Sequence, residues 1–347
     1  MASGSVPADR FRWAIIAVAA VLGSLHVLGA LQVRDQTYRG YRTRDDGTVV
    51  EVVQGSPADL AGIRAGDRLT RIDGAAAADR RALEALPRAR VGQTQSVVVE
   101  RNGHSVELRL TLAGLPPLGV AAYLASGLTG LSFLAFGAWA YLSAPCLATR
   151  LLALAGLGVA AAFTEMPYLA SPLARAVQES GLIVAAVFGF ATLFHFMLVF
   201  PEERAFLGRR ATVPLIYVPA TVVSAGHVAA TVLQGGNPGG MASLTTTASL
   251  GLVLVYFCLT VVALVQGYTS TTPAKRAAWG LNVLAACILI GLAPMISTAV
   301  GLVAPGVVFP GGDYYDLTWV LIPFALARST MLQARSSPTL TARARRG

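Results

Sequence analysis

The sequence predicts a polytopic α-helical membrane protein of about eight transmembrane helices with one inserted α+β domain. The 347-residue chain is 54% hydrophobic and only 13% charged, a balance that soluble proteins rarely have. Charge is concentrated in residues 34–112, which hold 13 arginines and 11 acidic residues. We therefore expect a cytoplasmic N-terminus and first helix at 1–33, an extracytoplasmic domain at 34–113, a seven-helix membrane bundle at 114–332 and a basic cytoplasmic tail at 333–347.

The first apolar run, residues 13–33, follows Arg10 and Arg12 and carries no charged side chain. Its length of about 21 residues suffices to cross a hydrocarbon core roughly 30 Å thick. A cleaved signal peptide is the alternative. The run is long for a signal peptide, and no clear small-residue cleavage site precedes the charged segment, so we expect an uncleaved anchor.

Residues 47–74 carry the local signals of an α+β unit. A valine-rich run at 49–53 predicts a strand, and Ser56 and Pro57 predict the start of a short helix. Serine accepts hydrogen bonds from free N–H groups at a helix start, and proline is tolerated at the first helical position. Gly62 predicts the helix end, because glycine adopts the left-handed conformation at low cost.

This order of capped helix, glycine stop, turn and strand resembles the PDZ domains of bacterial envelope proteases of the HtrA type. The matching residues are Ser56, Pro57, Ala58, Ala61, Gly62, Ile63, Gly66, Asp67, Leu69, Ile72, Asp73 and Gly74. The resemblance covers about residues 36–112, with a second helix expected at 79–86 and a final hairpin over 96–112. It implies an α+β PDZ fold.

The resemblance also implies a peptide-binding site. PDZ domains bind an extended peptide along a sheet edge and hold its C-terminal carboxylate among backbone N–H groups. The loop and strand residues that match, with the facing wall of the second helix, are Tyr38, Arg39, Gly40, Tyr41, Arg42, Thr43, Ala82, Leu83 and Leu86. The family's loop usually has an aliphatic residue where Arg39 or Tyr41 stands. Arg39 and Arg42 either strengthen carboxylate binding by charge or remain solvated surface residues.

Six or seven further apolar runs follow an elbow at Pro116 and Pro117. We expect spans at 118–142, 151–170, 181–200, 211–233, 248–266, 279–303 and 317–331. Short loops rich in Lys and Arg are expected in the cytoplasm. With the N-terminus inside, the cytoplasmic loops carry Arg150, Arg204, Arg209, Arg210, Lys275 and Arg276. The opposite loops carry Arg175 alone among basic residues, so both termini are predicted to be cytoplasmic in a multi-pass cell-membrane protein.

Polar residues inside membrane spans are costly and are therefore functional candidates. Glu165 precedes Pro167 near the outer end of its span, where it is either a ligand or proton site or a carboxylate that reaches water. His195 and His227 are the other candidates. With His26 they fall on different helices, and their spacing does not support a zinc site. The three cysteines are Cys146, Cys258 and Cys287. None belongs to a CxxC pair, and we expect each to be a small buried residue. We therefore predict no metal site and no cofactor.

Residues 194–203, FHFMLVFPEE, form a second recognisable stretch. A segment of this kind at the end of a transmembrane helix resembles the multispan sensor region of the competence quorum-sensing histidine kinases of bacilli. Those kinases combine an anchor helix, an extracytoplasmic PDZ-like domain and a membrane bundle, and residues 321–328 resemble the run that leads to the kinase. The chain stops about where the kinase would begin, so we expect no autokinase activity and interpret His195 as a packed, hydrogen-bonded residue.

The residues also argue against an enzyme. No His begins an HExxH motif, residues 127–130 carry Thr where a rhomboid needs Ser, and about 80 soluble residues are too few for a trypsin-like protease. Nucleic acid is not an expected partner, because no basic patch has interleaved aromatic residues.

The leading hypothesis is a non-enzymatic membrane sensor or adaptor. Its extracytoplasmic domain would bind peptide or protein C-termini and pass that event through the bundle to a cytoplasmic signalling partner. The alternative is a scaffold for an envelope protease or transport complex. A small-molecule transporter is a third hypothesis, which lacks paired broken helices with matched polar residues. The lipid bilayer is a partner under each of them.

Overall fold

The computed structural model describes residues 8–44, 46–79, 83, 86, 89–164, 169, 171–209, 211–233, 241–303 and 317–336. Within these residues an α+β domain follows the first long helix, and the rest of the chain is mostly helical. The predicted organisation of one α+β insert among apolar helices is therefore present.

The α+β domain lies between helices α1 (Ala8–Leu31) and α3 (Pro117–Ser143), and its described residues include the short helix α2 (Pro57–Leu60) and Leu83, which is also helical. Its strands are β1 (Thr37–Tyr38), β2 (Tyr41–Thr43), β3 (Val49–Val52), β4 (Arg68–Ile72), β5 (Ala75–Ala76), β6 (Thr94–Arg101), β7 (His104–Thr111) and β8 (Ala113–Gly114). All pairs are antiparallel, in one sheet of order β5-β4-β6-β7 and two ribbons, β2-β3 and β1-β8. The β1-β8 ribbon brings the two ends of the domain together, with Thr37 opposite Gly114.

Local sequence signals fix the short helix of this domain. The Ser56 hydroxyl accepts a hydrogen bond from the Asp59 N–H, and Pro57 occupies the first helical turn. Just beyond the helix, Gly62 has φ +84°, the left-handed conformation that glycine adopts without a steric penalty. The core beneath the helix combines aliphatic residues from it, from four strands and from the adjoining loops: Val49, Ala58, Ile63, Leu69, Val97, Val99, Leu110 and Leu112.

The remaining helices are α4 (Leu147–Ala161), α5 (Pro172–Val199), α6 (Thr212–Leu233), α7 (Met241–Ser270), α8 (Pro273–Ala278), α9 (Leu281–Ile290), α10 (Leu292–Val303) and α11 (Leu321–Ser336). Of the helices in the described residues, five are long and apolar enough to cross a membrane by length and composition: Arg10–Asp35, Pro117–Ser143, Ala174–Val199, Thr212–Leu233 and Leu244–Ser270. Two shorter apolar helices accompany them, Leu147–Ala161 and Leu281–Ser297. Several apolar helices are thus present, and the expected count of about eight spans stays a prediction.

The helix expected over 279–303 is interrupted at Gly291, where α9 ends and α10 begins. The indole N–H of Trp319 donates a 2.6 Å hydrogen bond to the Gly291 carbonyl. A side chain at position 291 would collide with Ile322. Pro294 lacks the N–H that would bond the Ile290 carbonyl, so the break has a local signal in the sequence, while Trp319 and Ile322 contact it from farther along the chain.

Trp319 is also the centre of the helical bundle. It is 2% exposed, and its ring lies 5.6–6.2 Å from the rings of four phenylalanines on other elements: Phe133, Phe163, Phe190 and Phe257. Glycines bring neighbouring helices close together around this centre. A Cβ atom at Gly158 of α4 would lie 2.7 Å from the backbone nitrogen of Gly189 on α5, so the two backbones are nearly in contact.

The junction between domain and bundle is short. Helices α1 and α3 pack against each other, and the Tyr123 hydroxyl of α3 donates a 3.1 Å hydrogen bond to the Gly29 carbonyl of α1. Pro116 precedes α3 in an extended conformation, and Pro117 opens the helix. The β1-β8 ribbon therefore lies within a few residues of the paired ends of α1 and α3.

Candidate functional site

A groove of about 900 Å³ opens beside β2 in the α+β domain. The segment from Thr37 to Tyr41 lines it, together with residues of β4 and with Leu83. The other described residues that line it are Thr43, Arg44, Asp46, Gly47, Arg68, Leu69, Thr70, Ile72, Ala77 and Ala78. The groove combines aromatic and aliphatic surface with several charged side chains.

Most of the residues that the sequence suggested for peptide binding meet at this groove. The described members that line it are Tyr38, Arg39, Gly40, Tyr41, Thr43 and Leu83. Leu86 is half-buried and is not among the described lining residues, and Ala82 lies outside the described part of the chain.

Arg42 is also not among the described lining residues. Its Nη1 lies 3.7 Å from Glu51 Oε2, and both side chains are about half exposed. Successive side chains of a strand point to opposite faces, so Arg42 faces away from the side occupied by Tyr41 and Thr43. The structure thus separates the two arginines that the sequence suggested, and only Arg39 borders the groove.

Strand β2 has one open edge in the described residues, because it pairs only with β3. The Val53 N–H donates a 2.9 Å hydrogen bond to the Gly40 carbonyl, which makes the next pair, Tyr41 opposite Val52, a non-hydrogen-bonded one. The backbone N–H and C=O of Tyr41 therefore point away from β3, toward the open edge. An extended peptide can pair with backbone groups that are arranged in this way.

The loop before β2 is held tightly against α2. The Arg39 carbonyl accepts a hydrogen bond from the Ala58 N–H at 3.0 Å, and the Ser56 hydroxyl donates to the Gly40 carbonyl at 3.2 Å. Gly40 has φ +83°, and a Cβ atom there would collide with Ser56. In a trans peptide unit the N–H points opposite to the C=O, so the N–H groups that follow these two carbonyls turn away from α2.

Among the described residues that line the groove, charge is mainly positive. Arg39, Arg44 and Arg68 are the described cations there, and Asp46 is the described acid. The Thr48 N–H donates a 2.9 Å hydrogen bond to Asp46, and this bond lowers the pKa of the carboxyl group. Burial raises the pKa of the Tyr41 phenol, which stays neutral at pH 7. An anionic group on a ligand is therefore favoured.

The contribution of β4 to the groove was not anticipated from the sequence. Arg68, Leu69, Thr70 and Ile72 line it, and the register of β4 against β6 shifts between Leu69 and Arg71. Adjacent residues of the strand thus border the groove, so period-two alternation gave no signal for this set. Nor does the sequence say that this strand borders the loop at residue 40, which lies far away in the chain.

The intramembrane candidates are not brought together. His195 Nδ1 lies 3.0 Å from the Tyr217 hydroxyl, whereas His227 Nδ1 lies 3.2 Å from the Thr245 hydroxyl. Glu165 lies outside the described residues. The two histidines thus serve different helix contacts, and His195 has the packed, hydrogen-bonded position that the sequence suggested.

Residues 30–112 match the family model of the PDZ domain. Among solved structures, the chain is similar to the HtrA-type protease AlgW with a decapeptide, at 29% identity and a TM-score of 0.21 over 24% of this chain and 30% of that chain. It is also similar to the serine endoprotease from Yersinia pestis, at 26% identity and a TM-score of 0.21 over 24% and 30% of the two chains. The chain thus spans under a third of the length of these two proteins. No curated protein matches it.

Proposed function

We propose that this chain, which carries a PDZ domain, is a non-enzymatic membrane sensor or adaptor that binds peptide or protein C-termini. PDZ domains are protein- and peptide-binding modules. The single observation that carries the proposal is the open edge of β2, which runs beside a groove of peptide-binding size. A ligand strand would add to this edge at Tyr41, with its terminal carboxylate near the loop at Arg39 and Gly40.

The position of the loop supports a coupling role. Tyr38 is the last residue of β1 and pairs with Ala113 of β8. The loop proposed to bind the ligand carboxylate begins at Arg39. Strands β1 and β8 lead directly to α1 and α3. A ligand held at residues 39–41 therefore lies within a few residues of α1 and α3. A movement of the β1-β8 ribbon on ligand binding would be passed to these helices without a flexible linker.

The sidedness of the proposal rests on charge. We assign eight spans, the first helix and seven in the bundle, with both termini in the cytoplasm and the PDZ domain outside, because the basic residues cluster at one set of helix ends. The Lys275 ammonium lies 2.7 Å from Glu202 Oε1, and Arg150 lies over the ring of Phe11. These contacts join helix ends that the alternation of spans assigns to one membrane face.

That same end is the proposed site of signal output. The Gln333 amide of α11 donates a 2.8 Å hydrogen bond to the carbonyl of Pro201, which follows α5. The indole N–H of Trp279 donates to the Ser336 hydroxyl of α11. The two segments that resemble sensor-kinase spans are thus linked, and a cytoplasmic partner that contacts α11 would register a movement of α5.

Peptide binding to the full chain in lipid nanodiscs tests the proposal. The probes are fluorescein-labelled decapeptides with free carboxylates whose last three residues are drawn from apolar amino acids, and the readout is fluorescence anisotropy. We expect saturable binding that Leu83→Asp abolishes, because this substitution places a charge on the groove wall. Leu60→Asp is the matched control, since Leu60 is 81% exposed and is not among the described groove residues. Absence of binding at about 1 mM peptide, with the PDZ domain folded, would defeat the proposal.

A scaffold for an envelope protease or transport complex is the second candidate. It is favoured by large apolar side chains outside the groove, since Leu60 is 81% and Val53 is 44% exposed. Such residues can dock a fixed protein partner. Affinity capture of the full chain and of its Leu83→Asp variant separates the two functions. One stoichiometric partner that is retained by the variant indicates the scaffold, whereas a set of groove-dependent ligands indicates the sensor.

A further inference from the structure

Gln95 is an unusual residue for its position in the PDZ domain. It is 3% exposed and lies on the inward face of β6, in alternation with Val97 and Val99, which are fully buried. A primary amide in such a place costs free energy unless its carbonyl and its NH₂ group both find partners. The residue is therefore expected to be retained for the hydrogen bonds that it makes.

Those hydrogen bonds link Arg39, which borders the groove, to the turn between β4 and β5. Arg39 donates to Gln95 Oε1 from Nε at 3.3 Å and from Nη2 at 3.2 Å. The Gln95 NH₂ group donates to Asp73 Oδ2 at 3.0 Å. A guanidinium can only donate and a carboxylate can only accept, so these partners fix the orientation of the amide.

Asp73 is itself held in place. Its Oδ1 accepts a 2.8 Å hydrogen bond from the Ser96 N–H, and its backbone N–H donates to the Ser96 carbonyl. It has φ +48° at the turn between β4 and β5, a conformation that non-glycine residues adopt infrequently. The turn thus carries a fixed acceptor at the start of the chain Asp73–Gln95–Arg39.

The choice of a neutral amide next to Arg39 has an electrostatic consequence. A carboxylate at position 95 would cancel the charge of the guanidinium, and it would also lose the N–H group that donates to Asp73. Gln95 holds Arg39 through two hydrogen bonds and leaves it cationic. Arg39 makes no ion pair within the described part of the chain, and its remaining N–H groups donate to none of the described residues. Arginine has five N–H donors, so donors remain for a ligand at the groove.

We infer that Gln95 is a positioning residue, fixed by Asp73, that holds the Arg39 guanidinium at the groove as the receptor for the free C-terminal carboxylate of the ligand. The inference rests on the proposed function and assigns the chemistry by which one ligand class is selected. A peptide with a free α-carboxylate gains a charge-assisted hydrogen bond from Arg39, and the same peptide with a C-terminal amide does not.

The test measures this selectivity in the full chain in lipid nanodiscs. The probes are one apolar-ended fluorescein decapeptide with a free carboxylate and the same decapeptide with a C-terminal amide. We expect the wild type to prefer the free carboxylate by about tenfold or more, since hydrogen bonds to charged groups have that magnitude. Gln95→Glu should reduce the ratio of the two dissociation constants to about three or less, because it neutralises Arg39. Gln95→Leu should also reduce the ratio, because leucine accepts no hydrogen bond and the Arg39 guanidinium is then no longer held at the groove.

The ratio separates positioning from a purely structural role. A variant that only loosens the domain weakens both peptides alike and leaves the ratio unchanged. Gln54→Leu is the matched control, an identical change at an exposed position of the same domain. Arg39→Gln should lower the ratio as Gln95→Glu does, and the double variant should lose nothing further. If the wild type binds neither peptide, the proposed function itself fails. If it prefers the carboxylate and both Gln95 variants keep that preference, the inference is overturned and the proposed function stands.

Discussion

The guanidinium of Arg101 donates hydrogen bonds of 2.7 Å to both carboxylate oxygens of Asp67, and a third of 2.7 Å to the Gly62 carbonyl. The Asp67 side chain is 2% exposed. This contact ties the end of β6 to the glycine stop of α2 and to the turn before β4. It therefore closes the PDZ core on the side of α2, whose other end holds the loop at Gly40.

Replacing Asp67 by Asn should destabilise the PDZ domain by about 1.5–3 kcal/mol, the usual contribution of hydrogen bonds to a charged group. The carboxylate also accepts a 2.8 Å hydrogen bond from the Arg64 N–H, so the amide disturbs three hydrogen bonds at once. Pulse proteolysis of the full chain in urea at pH 7 measures the change. Glu100→Gln, the same type of substitution at an exposed position of β6, should leave the urea midpoint nearly unchanged. Equal midpoints for the two variants would contradict this prediction.

The same pair predicts an acid-sensitive stability. The hydrogen bonds from the Arg101 side chain hold the pKa of Asp67 below its usual value of 3.8. A carboxyl group whose pKa is lower in the folded state stabilises the fold above its unfolded pKa, and this contribution is lost as the pH falls through the folded pKa. The urea midpoint of the wild type should therefore hold steady from pH 7 to about pH 5 and fall below about pH 4. Asp67→Asn should fall less steeply over that range, and a parallel decline in both proteins would refute the assignment.

Gly40 and Gly55 provide a matched pair of glycines for a test of the loop at Gly40. Both have positive φ, +83° and +73°, so either alanine variant carries a left-handed strain of about 1–2 kcal/mol. Only at Gly40 would the new Cβ collide with Ser56, whereas nothing lies within 4 Å at Gly55. Gly40→Ala should weaken decapeptide binding by about tenfold or more, and Gly55→Ala by less than about twofold, in the anisotropy titration. Comparable losses would show that the loop position does not govern binding.

Close helix packing makes a separate prediction for the bundle. A Cβ atom at Gly158 would lie 2.6 Å from the Ala185 carbonyl oxygen, so Gly158→Leu must push α4 and α5 apart. Overpacking of this kind costs about 1–3 kcal/mol, and we expect the detergent-solubilised full chain to lose its monodisperse size-exclusion peak at a lower temperature. Gly181→Leu on α5 is the control, because nothing lies within 4 Å of that position. Similar melting profiles for the two variants would argue against the tight contact.

Features that depend on neighbouring residues were predictable from the sequence. The cap at Ser56 and the glycine stop at Gly62 are local geometry, and they located the α+β domain and the loop at Gly40. The order of apolar runs likewise anticipated most of the long helices. These signals work because capping, left-handed glycine and helix length are decided within a few residues.

Features that depend on distant contacts were not predictable. Arg39 and Gln95 lie 56 positions apart, and no periodicity links them. Trp319 contacts Gly291 across 28 positions, and which side of β2 borders the groove depends on residues of β4. In each case the deciding partner comes from tertiary packing, so the residue types suggested chemistry without fixing which side chains would share a site.

Photo-crosslinking in sealed membrane vesicles tests most directly whether the PDZ groove binds peptide C-termini outside the membrane. A photoreactive amino acid is placed at Thr43, at Leu83 or, as a control that faces away from the groove, at Arg42. A membrane-impermeant biotinylated decapeptide with a free carboxylate is then added to right-side-out or inside-out vesicles. We predict crosslinks from Thr43 and Leu83 in right-side-out vesicles only, with little from Arg42. Crosslinks confined to inside-out vesicles, or equal yields at all three positions, would contradict an extracytoplasmic peptide-binding groove.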